Sequence, residues 1–490
     1  MLNLFGRSIV SVDDLSNEEI EEIFKLADDI RASRAAYMDR LRGRILATLF
    51  YEPSTRTRLS FESSMQRLGG GVISAWDMAA SSVSKGETLA DTVRVVGKYS
   101  DIIVLRHPSE GAARFASELA GVPVLNAGDG SHEHPTQTLC DLYTLRSKHG
   151  HLNGLKVAIC GDLRYGRTIH SLIYALARFG ASVILLPGGD RELPEHLNRK
   201  LSRDYGVDLM RAKIGMLRAL YGGEDTDVGQ ENTVDAVYMT PTQSHQLSLL
   251  TDDEMRIDFH GVQLYITRAQ KERWAAGEQA SPLYPKVTAR VLSMPEFKET
   301  SILHPLPRVD EISRDIDDDP RSLYFEQAAN GIPIRMALLL SVLALSESDG
   351  KAASTPQKYM VHMSKAGSGC ENPACITRSE DVPSAKFYLI PETDGYRLRC
   401  SYCDSDFLAT FYANTQSKVY HSVGELSREA PNREHVAFFK SEAEARSAGF
   451  RSASPNTRRA PRKDAVWPPL LKKSAIGVQR PSRRRHPVTV

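Results

Sequence analysis

Between residues 45 and 266 the chain keeps returning to one pattern: a short apolar run breaks off in a polar turn and gives way to helical spacing. Residues 45–51 (ILATLFY) form such a run. They end at Glu52-Pro53-Ser54-Thr55, after which Phe61, Met65 and Leu68 share one helical face that stops at Gly69-Gly70-Gly71. Residues 101–105 and 122–126 repeat the theme. Residues 155–160, followed by Gly161-Asp162, open a second series with a helix at 169–179 and further strands at 182–186, 235–239 and 263–266. Apolar strands without polar alternation need cover on both faces, and alternation with helices supplies it in the α/β architecture. The expectation is two doubly wound parallel-sheet domains with a boundary near residues 135–150.

A chain of 490 residues is also too long for a single core. Its longest near-apolar run, residues 336–345, includes Ser341 and falls well short of the roughly 20 residues a bilayer span needs. Asp13 and Asp14 interrupt the N-terminus before an apolar core of a secretory signal develops. The expectation is a cytoplasmic protein without membrane contact. Charge is unevenly spread: residues 451–490 hold eleven Lys/Arg and one acid, Asp464, while the other 450 hold 51 basic and 60 acidic side chains, a net of −9. That tail is Arg-, Pro- and Ser-rich without periodicity, so disorder is expected. It lacks the aromatic interleaving of a nucleic-acid surface, which disfavours a nucleic-acid partner.

The six cysteines are clustered. Cys140 and Cys160 stand alone in apolar surroundings and read as small buried hydrophobes. Cys370 and Cys375, with four residues between them, precede Cys400 and Cys403, with two between. In a cytosolic chain this pairing points to a tetrahedral, structural Zn²⁺ site with four thiolate ligands. Residues 351–368 are small and polar, as a linker would be, and residues 386–390 and 407–412 read as strands in a small β-rich module.

Three polar clusters stand where strands should end. Ser54-Thr55-Arg56-Thr57-Arg58 opens a helix, whose N-terminal N–H groups and dipole bind phosphate. Its hydroxyls add donors and Arg56 a bidentate grip. The alternative is a capping Ser54 beside solvated arginines, and the segment by itself does not separate the two. Arg106-His107-Pro108 and His134-Pro135-Thr136-Gln137 follow later strands, at the strand ends where open α/β sheets bind ligands.

In order, FYEPSTRTRLSFE, SKGETLADT, LRHPSEGAA, GDGSHEHPTQTLCDLYT, GDLRYGRT, TRAQKER and HPLPRVDEI over residues 50–312 closely resemble the catalytic chain of the aspartate carbamoyltransferase family. The resemblance covers residues 1–345. It implies transfer of a carbamoyl group from carbamoyl phosphate to L-aspartate, on the path to pyrimidines, without a catalytic cofactor. It implies a carbamoyl-phosphate-binding domain at 1–138, completed by a C-terminal helix at about 305–345, and an aspartate-binding domain at 139–304. Ser54, Thr55, Arg56, Thr57 and Arg106 then match phosphate contacts, and Thr57, Arg106 and His134 match groups that polarise the carbonyl. Gln137 and the backbone carbonyls of Leu306 and Pro307 match contacts to the carbamoyl group. Lys85, Arg167, Arg268 and Gln270 match the aspartate side. Ser81 and Lys85 match a loop given to a neighbouring subunit, which implies a homotrimer or a multiple of trimers. Ornithine enzymes share the scaffold but carry Cys where Thr136 and Leu306 stand, so an ornithine acceptor is the weaker reading, and a silent nucleic-acid-binding scaffold the weakest.

Residues 238–243 (YMTPTQ) look like a degraded copy of residues 265–270 (YITRAQ). Only the second copy has the arginine, so it is expected to bind aspartate, with about 25 residues inserted. The cysteine module resembles the zinc domain of regulatory chains of the same enzymes. Too little chain precedes it for the nucleotide-binding domain those chains carry. The organisation expected is thus a linker at 346–368, a Zn(Cys)4 domain at 369–415 that docks on a catalytic domain, open as to which subunit's, an uncertain module at 416–450 and a disordered tail at 451–490.

Overall fold

The computed structural model describes residues 4–75, 86–188, 191–214, 234–240, 262–273, 286–344, 360–363, 369–380, 382, 385–423 and 435–453. Ser81 and Lys85 lie outside them, as do Thr242 and Gln243 of the first YxT copy. The chain divides into two compact units. The larger comprises residues 1–354 with 372–381 and 402–404, and the smaller the remainder of 355–490.

In the larger unit, α1 (Asn17–Ala32) precedes β1 (Ile45–Phe50), α2 (Thr55–Arg67), β2 (Gly71–Ala75), α3 (Leu89–Val96), β3 (Ile102–His107), α4 (Ala112–Leu119), β4 (Val124–Asp129) and α5 (Pro135–His149). The four strands form one parallel sheet in the order β2-β1-β3-β4. α1 shows why the sequence folds this way. Ser16 and Glu19 close a capping box at its start, and Ile20, Ile23, Phe24, Ala27 and Ile30 bury one stripe. β4 is buried along its whole length, as a strand covered on both faces must be.

A second series follows: β5 (Lys156–Gly161), α6 (Arg167–Arg178), β6 (Ser182–Pro187), α7 (Glu195–Tyr205), β7 (Asp208–Ile214), β8 (Val234–Thr240), β9 (Val262–Ile266), α8 (Ala289–Leu292), β10 (Ile302–Leu303) and α9 (Tyr324–Leu343). Its sheet runs β10-β9-β5-β6-β8-β7. β10, β9, β5 and β6 are parallel, while β8 runs antiparallel to both β6 and β7. The first YxT copy falls in β8, in the reversed part of the sheet, and the second begins in β9, in its parallel part. Both series share one apolar core that includes α1, α2, α5, α6 and α9.

The chain crosses residues 135–150 as helix α5; Pro135 starts it at a position where a missing N–H costs nothing and Gly150 ends it in the left-handed conformation. The C-terminal helix, expected from about residue 305, begins at Tyr324; residues 305–323 run as turns around a short 3₁₀ helix, Arg314–Ile316, and Pro305, Leu306 and Pro307 among them line a cavity.

In the smaller unit, β11 (Met360–Met363), β12 (Ala385–Pro391), β13 (Tyr396–Cys400) and β14 (Asp406–Ala409) form an antiparallel sheet. The short helix α10 (Ile376–Ser379) lies between β11 and β12 in sequence and belongs to the larger unit. A further sheet in the order β17-β15-β16-β18 joins β15 (Phe411–Asn414), β16 (Val419–Ser422), β17 (Val436–Phe439) and β18 (Arg451–Ser452). Together with α11 (Glu442–Ser447) it encloses Ala413, Tyr420, Ala437, Phe439, Ala445 and Phe450. Three expectations are corrected by pairing partners the sequence did not reveal. Part of the 346–368 linker is strand β11, residues 411–414 belong to the last sheet, and Arg451–Ser452 of the basic tail pair with β16.

Candidate active site and candidate metal centre

In a parallel sheet every carboxyl end points the same way, and this places the site. β1 runs into Ser54–Thr57, β3 ends on Arg106 and His107, β4 leads to His134, β5 to Arg167, β9 to Arg268 and Gln270, and β10 to Leu306 and Pro307. All of these residues except His107 line one cavity of about 660 Å³. Each residue to which the resemblance gives a substrate contact, where it lies among the described residues, is therefore gathered there, while Arg58, His107 and Thr136 of the same clusters are not among the lining residues. Ser54 sits at the N-cap of α2, yet its side chain makes no capping hydrogen bond. Its hydroxyl is thus not committed to capping, the alternative the sequence left open.

Guanidinium groups dominate the electrostatics. Arg56, Arg106, Arg167, Arg268 and Arg335 line the cavity, and one carboxylate, Glu52, holds several together. Its Oε2 lies 2.8 Å from Arg167 Nη1, 3.5 Å from Arg106 Nε and 3.5 Å from Arg273 Nη2. Burial alone would raise the Glu52 carboxyl, but the arginines outweigh it and hold it below its ordinary value. Arg167 also donates to Gly130 O at 3.0 Å. Neither Glu52 nor Arg273 was given a role from sequence. Glu52 stands at the strand end two residues before Ser54, and Arg273 three residues after Gln270, within motifs already quoted.

His134 is buried, and burial together with Arg167, Arg106, Arg335 and Arg273 holds its imidazole well below the ordinary value. It is neutral near pH 7, suited to donate one hydrogen bond and not to give up an acidic proton. The His304–Pro307 turn is fixed by its own histidine. Nε2 of His304 lies 2.9 Å from Glu311 Oε1, and Nδ1 accepts from the Leu306 N–H at 2.8 Å. Leu306 adopts a left-handed φ of 50°, a conformation costing a non-glycine residue of order 1–3 kcal/mol. Asp162 joins the ends of β5 and β9 by accepting from the Tyr165 and Gln270 N–H groups, each at 3.0 Å.

Away from this cavity, the sulfurs of Cys370, Cys375, Cys400 and Cys403 lie within 4.8 Å of one another, and all four residues are buried. Tetrahedral thiolate coordination at about 2.3 Å per bond spaces sulfurs roughly 3.8 Å apart, so the group fits a metal ion such as zinc. Thr377 Oγ1 donates to Cys375 Sγ at 3.3 Å, a contact that supports a thiolate.

The loops that carry these ligands rest on the chain's own body. The Glu110 N–H donates to Ala374 O, and the Ile376 N–H to Glu110 O, both at 2.8 Å, while Asn372 Nδ2 reaches Glu110 Oε2. Glu380 accepts from the Leu89 N–H at the start of α3 at 2.8 Å. Tyr402 packs against Phe115, and Asp404 meets Lys200 of α7 at 2.6 Å. All of these contacts lie within the larger unit, to which residues 372–381 and 402–404 belong.

Residues 7–147 match the carbamoyl-P binding domain, and residues 233–342 the Asp/Orn binding domain, of aspartate/ornithine carbamoyltransferases. Residues 369–410 match the metal binding domain of the aspartate carbamoyltransferase regulatory chain. The aspartate carbamoyltransferase catalytic subunit of Thermoplasma acidophilum is 44% identical over 346 residues, 69% of this chain and 99% of that one. The chain belongs to the aspartate/ornithine carbamoyltransferase family. The curated Methanocaldococcus jannaschii catalytic subunit is 43% identical over 350 residues, covering 70% of this carbamoyltransferase and all of its relative. The solved catalytic subunit from that organism superposes with a TM-score of 0.53 at 42% identity, over 68% of this chain and 96% of that one. The Trypanosoma cruzi aspartate transcarbamoylase in complex with N-(phosphonacetyl)-L-aspartic acid superposes with a TM-score of 0.56 at 34% identity, over 70% and 98%. Homologues and structural neighbours of this carbamoyltransferase are thus aspartate enzymes, and no described helix is long and apolar enough to cross a membrane.

Proposed function

We propose that the chain transfers the carbamoyl group of carbamoyl phosphate to the α-amine of L-aspartate, giving N-carbamoyl-L-aspartate and phosphate in pyrimidine synthesis. The observation that carries the reading is a cavity in which a helix N-terminus bearing Ser54, Thr55 and Thr57 faces a group of arginines offset by one carboxylate, Glu52. The first turn of α2, with Arg56 and Arg106, takes the phosphate of carbamoyl phosphate. Thr57, Arg106 and neutral His134 donate to the carbonyl oxygen, which gains charge as the amine adds. Gln137 and the carbonyls of Leu306 and Pro307 accept from the carbamoyl NH₂. Arg167, Arg268 and Gln270 hold the two carboxylates of aspartate.

The amine attacks the carbonyl carbon, the C–O bond to phosphate breaks, and the departing phosphate takes the amine proton. A side-chain base is not needed, which accords with a His134 kept neutral by its arginine neighbours. Charge also favours aspartate over ornithine, since a second ammonium group would face Arg167 and Arg268 where a carboxylate is attracted. Ser81 and Lys85 complete the site from a neighbouring subunit, so the active assembly is a homotrimer or a multiple of trimers. Zinc occupies the four cysteines as a structural ion, and the protein works in the cytoplasm.

Product formation with aspartate and with ornithine tests this reading. Aspartate should give carbamoyl aspartate, and Arg56→Ala should lower kcat/KM roughly 10²–10³-fold with the fold intact. Strict ornithine use, or full activity of Arg56→Ala, would overturn it.

A further inference from the structure

Asp141 lies one helical turn beyond Gln137 on α5 and is fully buried. Its Oδ1 accepts from Gln137 Nε2 at 2.7 Å and from Gln327 Nε2 at 2.6 Å, and its Oδ2 accepts from the Tyr265 hydroxyl at 2.8 Å. The three donors come from three walls of the cavity region: α5, α9 and β9. Gln327 passes the constraint on, because its Oε1 accepts from the His304 N–H at 2.9 Å and His304 in turn holds the Leu306 N–H. Tyr265 stands three residues before Arg268 on the strand that delivers it.

A buried carboxylate is costly unless its lone pairs are used, so its retention here calls for a reason. Burial does push Asp141 up to about 7, against three donors that favour the ion. A carboxylate differs from every neutral replacement in accepting at both oxygens and donating at neither. A glutamine amide, by contrast, can turn over and present either end. With Nε2 of Gln137 committed to Asp141, the amide oxygen is the end left for the cavity that Gln137 lines.

We propose that Asp141 is the positioning residue that makes the carbamoyl subsite an acceptor site, fixing the Gln137 oxygen toward the ligand's NH₂ group and coupling it to the His304–Pro307 turn. This rests on the carbamoyl phosphate reading above. Discrimination between carbamoyl phosphate and acetyl phosphate, in which CH₃ replaces NH₂, then depends on a side chain that touches neither ligand. The phosphate end, bound at α2, does not.

The test compares full-length wild type with Asp141→Leu, measuring KM and kcat for carbamoyl phosphate and the inhibition constants of acetyl phosphate and inorganic phosphate. Both glutamine amides donate to the same oxygen, Oδ1, which asparagine could still present; leucine offers no acceptor at all, so Gln137 loses its fixed orientation. The preference for carbamoyl over acetyl phosphate should fall roughly tenfold or more, with inorganic phosphate inhibition unchanged within about twofold. A preserved preference, or an equal loss for all three ligands, would overturn the inference. If Asp141→Leu does not fold, as judged by circular dichroism, Tyr265→Phe removes a single donor at nearly constant volume. It should lower the same preference about threefold, and an unchanged preference again overturns the inference. A wild type that makes no carbamoyl aspartate refutes the functional reading itself, a result distinct from a working enzyme whose preference ignores residue 141.

Discussion

Glu52 and Gly128 show how single residues set the charge and space of the cavity. Glu52 keeps three guanidinium groups close in spite of their repulsion. Gly128 sits at φ +112°, and a Cβ there would meet the Arg167 guanidinium at 2.9 Å. Gly128→Ala should displace Arg167 and raise the KM for aspartate at least about tenfold. Gly150→Ala, where a Cβ meets nothing within 4 Å, should cost only about 1 kcal/mol of stability from its left-handed φ. Steady-state kinetics and thermal melts on the two variants check the contrast. His107 makes a pH prediction. Burial lowers its imidazole to about 4, despite opposing contributions from Glu52 and Asp129. Between pH 6.5, the ordinary value, and about 4, the unfolded chain binds the extra proton, so this contribution to stability is full above 6.5 and lost as pH falls through 4. Denaturant unfolding of His107→Asn across that window should show a shallower loss of stability than wild type.

At the scale of elements, the informative pair is β8 and β9. Both carry a YxT sequence, and spacing alone does not rank them; the arginine favoured the second. The structure supports the same choice on different grounds: β9 runs parallel to β5 with its end at the cavity, whereas β8 runs the other way. Arg268→Ala should therefore raise the aspartate KM by roughly 10–100-fold, the range expected for a charge-assisted hydrogen bond. Gln243→Ala should leave it within about twofold. The reverse result would move the aspartate site to the first copy. The helix starts at Ser54 and His134 were legible because each joins an apolar strand to a helical stripe within a few residues. Glu52, Arg273 and Asp141 were not, since their partners are distant in sequence and no local pattern encodes the pairing.

At the largest scale, within the larger unit, the loop of residues 402–404 meets α6, α7 and the segment before α1 at one charged cluster. Lys200 of α7 lies 2.6 Å from Asp404 and 3.1 Å from Asp13, with its ammonium 4.4 Å from the centre of the Tyr174 ring. Asp404 directly follows a metal-site cysteine, so the cluster pins that loop to the catalytic body. Lys200→Met removes the buried cation between two carboxylates, which keep only the longer approaches of Arg178 to Asp13 and His132 to Asp404. It should lower the melting temperature and speed metal loss to a chelator. Cys400→Ser should cost the chain its one bound metal ion by elemental analysis. Stoichiometric metal in that variant would refute the four-cysteine site.

The sequence by itself determined the α/β architecture, the strand-end positions of Ser54–Thr57, Arg106, His134 and Arg268, and the pairing of the four cysteines. Periodicity and short-range spacing are local properties that a linear chain displays. Tertiary structure alone decided that Glu52 would gather Arg106, Arg167 and Arg273, that Asp141 would bind three walls of the cavity, and that residues 360–363 and 451–452 would be strands. Each of these depends on groups brought together by folding, where burial strengthens charge and hydrogen bonding beyond what either partner's local sequence reveals.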